Sequence, residues 1–420
     1  GPREKNFYKI MEPGNQEKAV SEHLREPSER FSEAKALLQT GNFSGFDEIL
    51  KKLPSILEFR DESGLNLLHH MILDKETGAA LYLIEKGIDC RQKVGGKSLI
   101  EFIKKAHPSA LGEIETVLRG RVLRQNPKTS LKVVSYNTYL IPSWFVNKKN
   151  RTCQKQDWRA TNLGIELKKY DIIQLQEVWG SSIDKLEIGL RDTHFPLRGY
   201  GSWGGTFLDT IRATLKRTGG LYSSFRSDFT VEYFRKHVYA ATITRSGKGI
   251  TSVLYNLDLV LPGKFILAFN THFDPYAGGK GRQEEQIGEL RSFVEQVVGE
   301  VSQKRPAVNF SNVALIITGD FNINAEESTR LYNLLTIDWG LRDLYLEYCT
   351  KKGIEPESTH SPRNSYADHY ESRLDYVFAL DHVLGEQFAS VEVINSQVIK
   401  QEIGDEFSDH WGLGCEILFQ

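Results

Sequence analysis

The chain has 420 residues, enough for two or three domains with ample core, and its 40% hydrophobic and 11% aromatic content is that of a globular protein. A net charge of -2 gives no general attraction to polyanions, which counts against a nucleic-acid binder but leaves room for a local basic cleft. Four scattered cysteines (Cys90, Cys153, Cys349, Cys415) exclude a disulfide framework and a zinc-ligand spacing, and read as free thiols of a reducing compartment.

No apolar run approaches the roughly 18–20 residues of a membrane span, and the N-terminus has no secretory apolar region. The expected location is cytoplasmic or peripheral to a membrane; a bacterial effector exported without a signal peptide fits the same features. Gly1-Pro2 and Leu418-Phe419-Gln420 read as tag remnants and enter no fold argument.

Residues 1–32 are polar and charged, an N-terminal arm. From Glu33, Ala34, Leu37 and Leu38, then Phe46, Ile49, Leu50 and Leu53, recur at helical spacing on two segments split by Gly41-Asn42. Two blocks follow, Gly64-Leu-Asn-Leu-Leu-His69 and Leu83-Ile-Glu-Lys-Gly-Ile-Asp89, and a weaker copy starts at Gly95-Gly96. Gly64 and Gly96 lie 32 positions apart, close to a repeat period of about 33. On these blocks, residues 33–120 resemble a short ankyrin array. The resemblance implies stacked helical repeats that bind a protein partner or brace the next domain, with His69 bonding loop backbone. Residues 121–130, around Asn126-Pro127, read as the linker.

Residues 131–420 carry a series of apolar strands that each stop or start on a polar side chain. Leu131–Asn137 alternates and ends on Asn137; Asp171–Val178 carries Glu177; Lys264–His272 ends on His272. Val313–Ile317 reads as a buried strand broken by Thr318-Gly319, with Asp320 and Asn322 two apart and so on one face if the chain stays extended. Gly-Asp-x-Asn alone equally describes an Asx turn. Arg373-Leu-Asp375-Tyr and Ser408-Asp409-His410 complete the series, and Trp158–Lys168 and Gln283–Val301 have helical periodicity between the strands. Strand ends deliver side chains into a shared cleft, and these residue types bind hard cations and move protons.

The order Asn, Gln-Glu-Val, Thr-His, Gly-Asp-x-Asn, Leu-Asp-Tyr, Ser-Asp-His resembles the endonuclease/exonuclease/phosphatase superfamily that includes deoxyribonuclease I. The resemblance implies an α/β fold, a four-layer sandwich of two packed mixed sheets flanked by helices, preceded here by a small all-α repeat domain. It also implies Mg²⁺, with Mn²⁺ or Ca²⁺ substituting, held mainly by Glu177 with Asn137 and Asp409 nearby. His410 would then be the general base and Asp375 its orienting carboxylate. Asp320 and Asn322 would position the nucleophile and phosphoryl oxygens, and His272 would stabilise the transition state or protonate the leaving oxygen.

Several words are similar to neutral sphingomyelinases: Asn137-Thr-Tyr-Leu-Ile-Pro142, Gln176-Glu-Val-Trp179, Ser246-Gly-Lys248-Gly, Leu341-Arg-Asp-Leu-Tyr-Leu346 and Arg373-Leu-Asp-Tyr376. They imply hydrolysis of sphingomyelin or a related phospholipid to phosphocholine and ceramide at a membrane surface, with Lys248 at the phosphate. A phosphoinositide or inositol phosphate phosphatase and a metal-dependent nuclease are the alternatives the fold allows. The Trp-Cys-Asp-Arg signature of 5-phosphatases is missing, and Ile243 stands where the sphingomyelinase pattern has Asp. Trp144 and Phe145, and Trp203 in a Gly-rich basic stretch, are candidate lipid-facing lips; the alternatives are packing beneath the helix at 158 for the first pair and an ordinary loop for the second.

Overall fold

The computed structural model describes residues 27–90, 94–125, 128–141, 155–180, 182–190, 193–197, 220–242, 248–275, 282–368 and 370–420. The chain forms two compact units, Gly1–Arg121 and Val122–Gln420.

The first unit is all-helical where described: α1 Pro27–Gln39, α2 Phe43–Lys52, α3 Leu67–Leu73, α4 Thr77–Lys86, α5 Leu99–Ala106 and α6 Leu111–Gln125. The stretch read as a linker is thus helical as far as Gln125, its Arg, Val, Leu and Gln residues being adequate helix formers. A turn and cap recur at the sequence spacing. Gly64 and Gly96 adopt nearly equal left-handed φ values of 75° and 77°. Two residues on, Asn66 and Ser98 cap α3 and α5 by accepting from the amides of His69 and Glu101. His69 does not bond loop backbone as expected; its Nδ1 meets the Asn66 side chain at 2.6 Å, inside the cap.

The second unit contains two six-stranded sheets. Its strands are β1 Ser130–Leu140, β2 Ile172–Val178, β3 His194–Pro196, β4 Tyr222–Arg226, β5 Thr230–Val238, β6 Gly249–Asn256, β7 Phe265–His272, β8 Val313–Asp320, β9 Arg342–Asp343, β10 Asp375–Ala379, β11 His382–Val383, β12 Glu386–Gln387, β13 Val391–Ile399 and β14 Gly412–Phe419. One sheet runs β13-β14-β1-β2-β4-β3 and the other β5-β6-β7-β8-β10-β9, with β11 and β12 a separate pair. Each large sheet has one parallel pair at its centre, β1 with β2 and β7 with β8, and antiparallel neighbours outside it. Leu418 and Phe419, set aside above, are paired in β14, so they belong to the fold.

Side-chain alternation assigns the layers. Val133, Ile172 and Ile417 of the first sheet pack with Val253, Ile266, Ile316 and Val377 of the second. Their neighbours Val134, Ile173 and Leu175 turn outward onto α7 (Gln156–Leu167) and α8 (Ser182–Leu190) through Leu163, Leu167 and Leu186. On the far side, Leu267, Leu315 and Ile317 meet Leu290, Val294 and Val297 of α9 (Gln283–Lys304). The order helix, sheet, sheet, helix is the four-layer sandwich. Near one edge the inter-sheet core turns polar: Gln176 Nε2 donates to Asn270 Oδ1 at 2.8 Å, and Asn270 Nδ2 donates to the Leu175 carbonyl at 2.9 Å. No helix among the described residues is long and apolar enough to cross a membrane.

Candidate active site

Strand direction decides what lies at that edge. β1 and β2 run in parallel, as do β7 and β8, and Asn137, Glu177, His272 and Asp320 lie at or near their C-terminal ends. β10 runs antiparallel to β8 and starts at Asp375; β14 runs antiparallel to β1, and Asp409-His410 immediately precede it. His272 and Asp375 are both in register with Asp320.

Gly319 does not break β8, which continues to Asp320. It is small because a Cβ there would lie 2.1 Å from the Thr271 carbonyl oxygen of β7. Asp320 then serves two purposes. Its Oδ1 accepts from the Asn322 amide at 2.9 Å, closing an Asx turn, and its Oδ2 accepts from Asn137 Nδ2 at 2.9 Å across the sheets. Asn322 has a φ of 50°, so it is not on an extended segment, and its side-chain amide donates to the Phe273 carbonyl. Glu177 is also left-handed, at φ 56°. Non-glycine residues rarely adopt this backbone, and such strain persists only where the surroundings enforce it.

The polar side chains form one connected group. His410 Nδ1 lies 2.8 Å from Asp375 Oδ2, and the backbone amides of Leu374 and Asp375 both donate to Thr359 Oγ1. The other nitrogen, His410 Nε2, faces Asp320 Oδ2 at 3.9 Å. His272 Nε2 is 3.4 Å from that same oxygen and 3.8 Å from Glu177 Oε1. Buried Lys248 places Nζ 2.7 Å from His272 Nε2. Ser408 donates to the Asn137 carbonyl at 2.6 Å and to Asp409 Oδ1 at 3.1 Å, tying the β14 approach to β1.

Burial opposes charge on Lys248, Asp320, Asp375, Asp409 and His410. It works against the His410 imidazolium, but the Asp375 and Asp320 carboxylates outweigh it and raise the imidazole well above its usual range. Burial likewise opposes the Asp320 carboxylate, which the His410 charge and the hydrogen bonds from His272 and Asn137 nevertheless hold well below the usual range. Burial lowers Lys248, against the pull of Glu177 and Asp320. Asp409 is pushed up to about 7 by burial, with Glu177 and Asp320 adding to it.

Asp320, Asp375 and His410 each bring one ligand atom within 4.8 Å of the others. Asp375 Oδ2 is committed to His410 and the Asp320 oxygens to the Asx turn and Asn137, whereas Asp375 Oδ1 is buried with no hydrogen-bond partner among the described residues. Glu177 Oε2 is likewise buried with no hydrogen-bond partner among the described residues. An orphaned carboxylate oxygen, beside an Asp409 that its neighbours keep from ionising readily, is the donor chemistry a divalent cation completes. Glu177 fits a metal ligand on that ground, with half-buried Asp409 next to it. Asn137 stands in the same group, its Nδ2 donating to Asp320 and its Oδ1 accepting from the Tyr139 backbone amide.

Of the substrate-binding candidates, Lys248 joins the group, whereas Trp144, Phe145 and Trp203 lie outside the described residues. Three participants escaped the sequence reading. Thr359 and His360 sit in a polar stretch with no strand pattern; Thr359, sixteen residues ahead of Asp375, accepts from its backbone amide, and His360 meets the His410 ring. Arg159, inside the segment of helical periodicity from Trp158, is fully buried and donates to the Phe407 carbonyl at 2.8 Å and the Tyr139 carbonyl at 3.3 Å. It thereby braces the backbone beside Asn137 and ahead of His410.

No family model matches the sequence, and no curated protein is similar to it. Solved structures are. A zebrafish (D. rerio) TDP2 complexed with single strand DNA product has 18% identity and a TM-score of 0.48, over 69% of this chain and 99% of that one. An endonuclease/exonuclease/phosphatase from Bacteroides vulgatus has 16% identity and a TM-score of 0.49, over 70% and 100%. Sphingomyelinase C from Streptomyces griseocarneus has 16% identity and a TM-score of 0.47, over 69% and 99%. With these TM-scores below 0.5, the fold assignment rests on the strand order and register given above.

Proposed function

We propose that the second unit is a Mg²⁺-dependent phosphodiesterase that hydrolyses sphingomyelin or a related phospholipid to phosphocholine and ceramide. The observation that carries the metal-dependent hydrolysis is the partnerless Oε2 of Glu177 in the group that holds the His410–Asp375 dyad. A cation bound by Glu177 and Asp409 would neutralise phosphate charge. Because Asp375 and Asp320 favour the imidazolium, the base step belongs to the neutral form of His410, whose Nε2 takes a proton from water as the oxygen bonds to phosphorus while Asp375 holds the ring by Nδ1. The phosphorus–oxygen bond to ceramide breaks, and His272, with Lys248 against it, returns a proton to the departing oxygen. Asn137 and Asn322 fix the Asp320 carboxylate between the two histidines.

The choice of lipid is supported by the sphingomyelinase-like words around Asn137, Glu177 and Asp375. It is tested by phosphocholine release from sphingomyelin vesicles with Mg²⁺, with EDTA, and with His410→Ala, alongside plasmid nicking under the same conditions. Nicking without lipid turnover would replace the lipid reading with a nuclease.

For the first unit we propose an ankyrin-type array that engages a protein partner, supported by the recurrence of turn and cap at Gly64-Asn66 and Gly96-Ser98. Stacked repeats depend on their neighbours. Asn66→Ala should therefore raise hydrogen exchange in α5 as well as α3; loss of protection confined to α3 would count against stacking.

A further inference from the structure

Beside the dyad stands an aromatic pair that the hydrolytic mechanism does not use. His360 bridges to the backbone of His410, and its ring meets the His410 ring edge-on at 5.3 Å. On its other side the same ring stacks on Tyr370 at 4.3 Å with an interplanar angle of 21°. His360 is buried, and burial holds its imidazole down at about 4, so it stays neutral at physiological pH. Its Nδ1 also lies 3.2 Å from the Tyr370 carbonyl oxygen, which fixes the two rings to one another.

Tyr370, by contrast, is 51% exposed. A large aromatic ring held rigidly at the rim of a crevice has given up conformational freedom without gaining burial. Its setting is acidic: burial pushes the phenol up, and the carboxylates of Asp320, Asp368, Asp409 and Glu327 push in the same direction. An electron-rich ring face in a field of carboxylates attracts an alkylated cation, which loses little on leaving water and gains from the ring quadrupole. A neutral or anionic group gains nothing there.

We propose that Tyr370, buttressed by His360, is the subsite for a quaternary ammonium group at the far end of the phosphodiester, which makes choline-bearing substrates the preferred class. The placement suits that ligand. Only an ester oxygen and a two-carbon bridge separate phosphorus from the quaternary nitrogen of phosphocholine, and His360 is the one ring that touches both His410 and Tyr370 among the described residues. The proposal deepens the lipid reading above and rests on it for the identity of the substrate, but the subsite is separable by direct binding.

The test is calorimetric titration of the full chain, in Mg²⁺, with phosphocholine and with inorganic phosphate. Wild type should bind phosphocholine more tightly. Tyr370→Ala should weaken phosphocholine about 5- to 30-fold, the worth of a desolvated cation–π contact, and narrow its advantage over phosphate. Tyr370→Phe, which keeps the ring, should retain most of the affinity and shows that the position tolerates change. No preference for phosphocholine in wild type, or the same preference in Tyr370→Ala, overturns the proposal. Wild type that prefers phosphocholine but leaves sphingomyelin vesicles intact overturns the lipid reading and leaves the subsite standing.

Discussion

Gly319→Ala tests whether the site depends on how closely β7 and β8 approach. The added Cβ would lie 2.1 Å from the Thr271 carbonyl oxygen and 2.9 Å from Thr271 Cγ2. Both are backbone or core positions held by the ladder, so no flexible side chain can step aside. Relief requires the strands to part by about 1 Å, an overpacking cost of roughly 2–3 kcal/mol. For a unit of this size that lowers the midpoint of thermal unfolding by about 2 °C per kcal/mol, some 5 °C in all. The neighbouring register pair is His272 and Asp320, whose side chains stand 3.4 Å apart. A displacement of about 1 Å there should cost on the order of 10²-fold in kcat/KM. Scanning calorimetry and Mg²⁺-dependent turnover of a phosphodiester measure the two effects. Gly288→Ala, in α9 with nothing within 4 Å of the new methyl, is the control and should stabilise slightly. Gly319→Ala with wild-type melting and wild-type turnover would refute the argument from close approach.

Glu177→Gln removes the orphaned charge, so the metal-free protein should melt no lower than wild type while the stabilisation by Mg²⁺ (about 2.7 kcal/mol at a hundred times Kd) disappears; retained Mg²⁺ stabilisation would place the metal elsewhere. Asp375→Asn presents an amide to His410 Nδ1 and favours the wrong tautomer, so kcat should fall about 10²- to 10⁴-fold with the fold intact, measured by turnover and circular dichroism. His69 should make the first unit acid-sensitive. Burial lowers it to about 4 against an unfolded value of about 6.5. Above the unfolded value both states are neutral and pH has no effect; as pH falls from there toward 4, only the unfolded chain takes the proton. Stability lost over that window is about 3 kcal/mol, read as rising hydrogen exchange across α3 and α4, and His69→Asn should flatten it.

Residues at strand ends were legible because an apolar run that stops on a carboxylate, amide or imidazole is conspicuous. That is how Asn137, Glu177, His272, Asp320, Asp375 and His410 stood out. The signal fails where the chain has no such run. Thr359, His360 and Tyr370 lie in a polar loop, and nothing local distinguishes a threonine whose hydroxyl accepts two backbone amides from one in solvent. Gly319 was misread because the sequence marks the missing side chain but not the reason; the carbonyl that requires it belongs to another strand. Asn322 shows that the two local readings of Gly-Asp-x-Asn do not compete, since one carboxylate oxygen closes the turn and the other faces the site.

The order of those residues along the chain has a geometric basis as well. In a sheet whose central pair is parallel, both central strands finish at one edge, and every antiparallel neighbour of that pair begins there. Polar residues belonging to this edge must therefore follow apolar runs in the parallel strands and precede them in the antiparallel ones. Asn137, Glu177, His272 and Asp320 obey the first half of the rule; Asp375 and His410 obey the second. Both sheets share the same pattern of strand directions, so stacking them with those edges together puts each set of strand ends beside the other, where the Asn137–Asp320 hydrogen bond joins them. A polar residue at the opposite ends of these strands needs partners of its own, as buried Asp171 ahead of β2 has in Lys128 and Arg226. Accordingly, the first sheet is apolar within the inter-sheet core at Leu131, Val133 and Ile172, while the residues that need charge are gathered where two edges can share it.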